Sequence, residues 1–523
     1  MTKSLTSLLI LLTVAVLAQP TASDLQKIDR VIGIQERAML DEYLTFLEIP
    51  NHARDEAGIR ANAEFISDMM RRRGIHTQRL RSSTPGTPDA IYGEVITPGA
   101  METIVFYAHY DGQPVNPEKW NAALKPYGPV IMDDALEKGG KPVDLPAMGQ
   151  PVPKDWRIHC RSSSDDKAGV MAILNAYDVL VRAGIKPKVN IKFFFEGEEE
   201  IGSLHLGEIL ENHRELLKAD FWIIADGPIH PSGAPKVDLG VRGDVNIHLR
   251  VFGPKRPLHS GHYGNWAPNP CLLMAQLLAG MKDEQGRVTI KGYHDDVIRF
   301  SQAEQEAFAR MPSMDEILKK DLGIHTTDHP GMSLYQTLEW PSLNINGIRC
   351  ADAGDQASNV IPTEALATLD LRQVAGTDYL KQVDRIREHI RLQGYLVLDR
   401  HPTDEERLEH ARIAMVTVGN GGYNAQRTPL DLPVAQRVVA AVQATTSQHV
   451  LVQPTSGGSL PLYLFERILQ AKVIGIPMVN HDNNQHAENE NVRIGHLWDA
   501  MRRITGIMML SPAEGRKQIR NKR

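Results

Sequence analysis

The sequence predicts an α/β fold: a main domain with a central, mostly parallel sheet flanked by helices, and a smaller α+β domain inserted into it. Three observations carry this prediction. Residues 189–195 and 220–225 are short, almost wholly apolar runs, as expected of strands covered on both faces. They alternate with stretches of helical spacing at 57–73 and 167–183, which stop at Gly74 and Gly184. From about residue 241 the pattern changes: residues 245–252 and 365–371 alternate apolar with polar, like strands with one exposed face, and the first pattern resumes after Thr428.

Taken in order, residues 1–18 read as an export signal, with Lys3 as the positive region, an apolar run over 8–17, and small residues for cleavage around Ala18. That run is too short to span a bilayer comfortably, no Cys follows it to carry a lipid, and no later run reaches 18 uninterrupted apolar residues. The expectation is an exported chain, periplasmic or secreted, without stable membrane insertion. The first part of the main domain, 24–241, holds helix 57–73, strand 102–107, helix 167–183 and the strands 189–195 and 220–225. Within it, residues 112–156 are rich in Pro, Gly and charge without periodicity and read as an elaborated loop near a site. The inserted domain, 242–428, adds an amphipathic helix at 380–393 and a charged surface excursion at 401–412. The second part of the main domain, 429–523, holds helix 434–444 and a short strand at 472–476.

Composition narrows the function classes. The chain has 523 residues, 42% hydrophobic and 23% charged, with material for more than one domain. A formal charge of -6 leaves no global field to hold nucleic acid, so a polyanionic partner is not expected. The three cysteines, Cys160, Cys271 and Cys350, are odd in number and widely spaced, which argues against a disulfide framework and leaves stability to packing. A Cys-x-x-Cys zinc site is absent from the sequence.

The most informative stretch is Ile191-Lys-Phe-Phe-Phe-Glu-Gly-Glu-Glu-Glu-Ile-Gly202, in which an aromatic strand ends in four carboxylates. Crowded carboxylates repel unless something cationic sits among them. A solvated acidic turn is the plain alternative. Other candidate ligands follow apolar strands in the same way. His109 and Asp111 lie two apart at the end of strand 102–107, on one face, so His109 could bind a metal while Asp111 orients its imidazole, a hydrogen-bonded structural histidine being the plain alternative. Asp165 and Asp166 precede a helix, where capping is the simpler reading, and Asp226 precedes a glycine, where it could be a turn former. His486 lies in a polar stretch after the late strand. Together these groups sit at the carboxyl edge of the predicted sheet, where open α/β sheets bind ligands. The mixture of imidazole and carboxylate suits zinc, with manganese or cobalt as alternatives, and two ions fit so many carboxylates better than one.

At this point the chain resembles the co-catalytic zinc exopeptidases, the family of carnosine dipeptidase, carboxypeptidase G, aminoacylase and succinyl-diaminopimelate desuccinylase. The matching motifs are Ala108-His-Tyr-Asp111, Ser164-Asp-Asp-Lys167, Glu196-Gly-Glu-Glu-Glu-Ile-Gly-Ser203, Leu258-His-Ser-Gly261 and the late His486, in the family's order. The resemblance implies that Asp165 bridges two metals, with His109 and Asp226 on one ion and Glu200 and His486 on the other. It also implies a cis peptide between Asp165 and Asp166, and Glu199 as general base. His259 matches the histidine that stabilises the tetrahedral oxyanion, commonly across a dimer interface. Arg372 resembles the arginine that grips a substrate carboxylate, a surface ion pair being its plain alternative, and Asn269, Gly458 and Ser459 resemble further substrate-positioning elements. The inserted domain would act as lid and dimerisation module of a homodimer.

The expected function is therefore an exported di-zinc peptidase that hydrolyses dipeptides or the C-terminal residue of short peptides with metal-activated water. An N-acyl amino acid amidohydrolase would need the same metals and carboxylate clamp, and a non-catalytic metal- or peptide-binding protein is the alternative of another class.

Overall fold

The computed structural model describes residues 20–419 and 421–511, so the export signal expected at 1–18 lies outside the described residues. Its main sheet has eight strands in the spatial order His76–Leu80, Ala90–Val95, Asn190–Glu196, Thr103–His109, Phe221–Ile224, Lys472–Gly475, Lys236–Asp238 and Leu451–Gln453. The four strands from Asn190–Glu196 to Lys472–Gly475 are mutually parallel. Antiparallel pairings on either side of them make the sheet mixed.

Period two explains why the aromatic run is central. Phe193 and Phe195 join a core containing helices Ala22–Leu47, Lys167–Arg182 and Ile494–Met508, whereas Phe194 joins a second cluster with Trp222, Leu206 and Phe465. Both faces are thus covered, as the uninterrupted apolar character requires. Helix Ala22–Leu47, which the sequence reading did not single out, starts at a capping box between Thr21 and Asp24 and buries Ile28, Ile32, Met39, Tyr43 and Phe46.

The chain leaves this sheet at Asp238 and enters a second one through the 13-residue strand Gly240–Phe252. The strand order there is Ser342–Arg349, Glu364–Gln373, Gly240–Phe252, Ile413–Val418, Leu396–Leu398. Burial alternates strictly along Glu364–Gln373, and the buried face packs on helices Pro270–Ala279 and Tyr379–Leu392. The excursion at 401–412 contains the short, exposed helix Asp404–Glu409.

Two expectations are refined. The segment 112–156 is mostly loop, but Val130–Met132 pairs with Arg157–His159, which in turn pairs with Asn491–Arg493. A three-residue strand is too short to show a period. The cysteine reading is corrected: Cys271, at the start of helix Pro270–Ala279, forms a disulfide with Cys350, just past the strand Ser342–Arg349, with their Cα atoms 5.6 Å apart. A separation of 79 residues hides this pairing in the sequence, because helix and strand meet only once the second sheet has folded. Cys160 is free and buried.

Replacing Cys271 with Ser is expected to lower stability by roughly 2–4 kcal/mol, read by denaturant unfolding. Reductant should bring the wild type down to the variant and leave the variant unmoved.

Candidate metal centre and substrate cleft

Parallel register brings three strand ends to one level, with His109 opposite Glu196 and Tyr107 opposite Ile224. The loops that follow therefore deliver His109, the 196–200 turn and Asp226 to the carboxyl edge of the sheet. Gly197 allows this turn to pass close by, since a Cβ there would come within 2.4 Å of the Tyr110 ring. Gly169 does the same for the helix behind Asp165, where a Cβ would lie 2.4 Å from the Ala225 carbonyl oxygen.

Asp165 occupies the middle of the cluster. Its Oδ1 is 2.9 Å from His109 Nε2, and its Oδ2 is 3.0 Å from His486 Nε2. His109 Nε2 is also 3.9 Å from Asp226, and His486 Nε2 is 3.4 Å from Glu200. Asp166 faces elsewhere: it accepts hydrogen bonds from the backbone N–H groups of His109 and Gly169 and caps helix Lys167–Arg182. The peptide between Asp165 and Asp166 is cis, as the resemblance implied. His486 itself stands in the left-handed region at φ 63°, uncommon for a residue with a Cβ and typical of a strained functional loop.

Asp111 serves two neighbours. Its carboxylate is 3.4 Å from His109 Nδ1, and it accepts hydrogen bonds from the backbone N–H of Glu199 at 3.0 Å and of Glu200 at 2.9 Å. The four glutamates of the acidic run have separate surroundings. Glu196 accepts from the Tyr107 hydroxyl, Glu198 pairs with His205, Glu199 lies 3.8 Å from His109, and Glu200 accepts from the Gln113 side chain at 2.7 Å.

Electrostatics favour added positive charge in this cluster. Burial raises Glu200 to about 8, with Asp165 adding to it, and raises Asp226 to about 6 for the same two reasons. Burial likewise drives Glu199 well above the usual carboxylate range. The hydrogen bond that its ring donates to Asp165 lifts His486 to about 9. Burial disfavours a charged His109, but its bonds to Asp111 and Asp165 prevail and raise its pKa. Burial and mutual repulsion that disfavour ionised Glu199, Glu200 and Asp226 mark a site suited to added positive charge. Among the described residues, His109, Asp165 and Glu200, and His109, Asp166 and Asp226, bring ligand atoms close enough to share an ion. The donor set fits a divalent metal. Of the second group, Asp166 already carries two backbone hydrogen bonds as a cap, so His109 and Asp226 are its available members.

A cavity of about 360 Å³ opens beside the cluster, lined by Asp165, Glu199, Asp226 and His486 together with Gly458 and Ser459. Arg372 reaches it through Ser459, to whose Oγ its Nη1 donates at 2.7 Å. Asp370 and Asp244 flank the guanidinium at 3.2 and 3.7 Å, so Arg372 does make the ion pair that was its plain alternative. Tyr423, which the sequence reading missed, stacks on Tyr463, and burial, with the nearby charge of Glu199, keeps its phenol above the usual tyrosine range. His259 does not line this cavity: it is exposed, its Nδ1 accepts from the Gly261 N–H, and its ring lies against His262. Asn269 is outside it too and caps helix Pro270–Ala279 through the Cys271 N–H. Gln113 and Glu490 were also missed, because neither lies in a recognisable motif and both act through contacts distant in sequence.

The pattern of peptidase family M20/M25/M40 matches residues 105–509. The chain belongs to this family. It is a metal-dependent peptidase. It is 25% identical over 483 residues to the Cys-Gly metallodipeptidase of Candida albicans, covering 88% of this chain and 92% of that protein. It is 22% identical to the human Beta-Ala-His dipeptidase, over 77% of this chain and 74% of the relative. Among solved structures, an M20 family metallo-carboxypeptidase from Sulfolobus solfataricus superposes with a TM-score of 0.72 at 25% identity, covering 90% of this peptidase and 98% of that chain.

Replacing Asp165 with Asn is expected to abolish tight metal binding, whereas Asp226→Asn should weaken it. Metal content after dialysis, measured by mass spectrometry, checks both; an unaltered content in Asp165→Asn would contradict the central placement.

Proposed function

We propose that this peptidase hydrolyses dipeptides, or the C-terminal residue of short peptides, with two zinc ions shared through Asp165. The supporting observation is that the two oxygens of this one carboxylate address two different histidines, each with its own second carboxylate, Asp226 or Glu200. Ions held there would polarise an amide carbonyl and lower the pKa of water.

The chain's own residues do the rest. Glu199 takes a proton from the attacking water and returns it to the leaving amine. Its raised pKa, owed first to burial, favours the return step, and a neighbouring cation would favour the ionised form needed for the first. Asp111 holds the backbone of Glu199 and Glu200, so base and ligand keep a fixed relation. Arg372 and Ser459 receive a substrate carboxylate at the other end of the cavity. A volume of about 360 Å³ suits a dipeptide better than a long chain.

The same reading includes a homodimer. Strand Ser342–Arg349 is an edge strand whose last six residues are exposed, with Ile345 and Ile348 uncovered, and Trp266 is 79% exposed near His259. A second copy covering this region would bring His259 to a partner's cleft as oxyanion donor. Export is supported by the N-terminal pattern and by the Cys271–Cys350 disulfide, which suits an oxidising compartment.

A panel of free dipeptides and N-acyl amino acids on zinc-loaded protein tests the activity. Dipeptide hydrolysis is expected; cleavage of acyl amino acids alone would make the protein an amidohydrolase, and no cleavage a binding protein. Glu199→Gln should keep its metal and lose turnover by roughly 10²–10⁴-fold. Asp244, raised to about 6 by burial and by Asp370, supplies a pH test of the clamp. Above pH 6 it is ionised and competes for Arg372 beside Asp370; below, it is neutral and leaves the guanidinium with one carboxylate competitor fewer. KM is expected to fall as pH drops through 6, and Asp244→Asn to show the low KM throughout, in initial-rate profiles.

A further inference from the structure

Glu490 is fully buried and belongs to no motif that the activity uses. Its carboxylate is saturated by donors from one short loop. Oε2 accepts from Arg161 Nη1 and from the Ser162 N–H, both at 2.8 Å. Oε1 accepts from the Ser164 N–H at 2.9 Å, the Ser164 hydroxyl at 2.8 Å and the Asp165 N–H at 3.0 Å. Burial raises the pKa of this group, while Arg161 and the backbone donors favour its ionised form. Three backbone N–H groups, one hydroxyl and one guanidinium leave a carboxylate here no equal substitute, since a carboxamide would turn an NH₂ toward donors.

The residue also belongs to the opposite wall of the site. It lies four positions after His486, and its carbonyl accepts from the Cys160 N–H at 3.1 Å. The strand that begins next to it, Asn491–Arg493, pairs with Arg157–His159. Arg157 ties the same wall further along, bonding Asn491 and Asp482. The strand pair and Arg157 hold the two walls together along their length, and the Glu490 side chain joins the loop bearing Asp165 to the segment bearing His486 directly. The joint sits at the main-chain nitrogen of Asp165, whose carboxylate stands between the two histidines.

We propose that Glu490 is a positioning residue for the metal centre: it sets the distance between the Asp165 and His486 loops, and metal affinity depends on it. The proposal rests on the metal-site reading above, but not on which bond is cleaved. A carboxyl group whose only role was to complete the core would stabilise the fold without altering metal affinity.

The test is zinc affinity by chelator competition, and cobalt absorption as a report on ligand geometry, for wild type, Glu490→Gln and Ser164→Ala. Stability of each metal-free protein is measured alongside. Glu490→Gln is expected to bind zinc about 10–100-fold more weakly, with an altered cobalt spectrum. Ser164→Ala, which removes one of the five bonds, should weaken zinc binding severalfold with little change in metal-free stability. Wild-type affinity and spectrum in a folded Glu490→Gln would overturn the proposal; if that variant does not fold, unchanged affinity in Ser164→Ala does so. Dipeptide hydrolysis by the wild type is scored separately, so the positioning role can stand where the peptidase reading falls, and the reverse.

Discussion

Much of this structure is organised around the carboxylate of Asp165, which must lie between two imidazoles while surrounded by other acids. Its contacts of 2.9 and 3.0 Å to His109 and His486 come from segments more than three hundred residues apart in the chain. Glu199, Glu200 and Asp226 crowd the same edge, and like charges in a buried place hold together only with compensation. The parallel register of the sheet forces the crowding, and the two histidines offset part of it. A divalent metal would supply the rest, which agrees with membership of a metal-dependent peptidase family.

The acidic run shows how neighbouring residues of one type acquire different work. Glu196 faces the Tyr107 hydroxyl in the core, and Glu198 turns to His205 and its backbone. Glu199 and Glu200, with their N–H groups both held by Asp111, present their side chains to opposite histidines. Backbone geometry at the strand end makes this division, not any difference in the side chains. A turn whose main chain was free would let these carboxylates move apart and dissipate their repulsion in solvent.

The second sheet approaches the metal centre with a different chemistry. Arg372 brings a guanidinium toward the cavity, but Asp244 and Asp370 lie beside it, so its charge is shared between structure and ligand. Ser459 carries the contact into the cavity, and it belongs to a segment that pairs with the entry strand Gly240–Phe252. Exposed His259 and the uncovered edge Ser342–Arg349 belong to the same second unit, on surface that one chain leaves open.

Periodicity alone sufficed for the strands at the site, because Phe193, Phe194 and Phe195 can be uninterruptedly apolar only in a strand with two covered faces. It also placed His109, the glutamates and Asp226 at strand ends, since that requires only local order. The long first helix was overlooked although Ile28, Ile32, Met39 and Tyr43 keep helical spacing, and the short strand Val130–Met132 had no pattern to read. Asp165 and Asp166 were indistinguishable as adjacent identical residues; the resemblance favoured one, and folding made the other a cap. Nor could spacing reveal the Cys271–Cys350 bond or the hold of Glu490 on the Asp165 loop. The sequence by itself determined which residue types reach the edge of the sheet, because alternation and strand length are local. Only the tertiary structure decided which oxygen faces which nitrogen, because those distances depend on contacts between segments that the chain order keeps far apart.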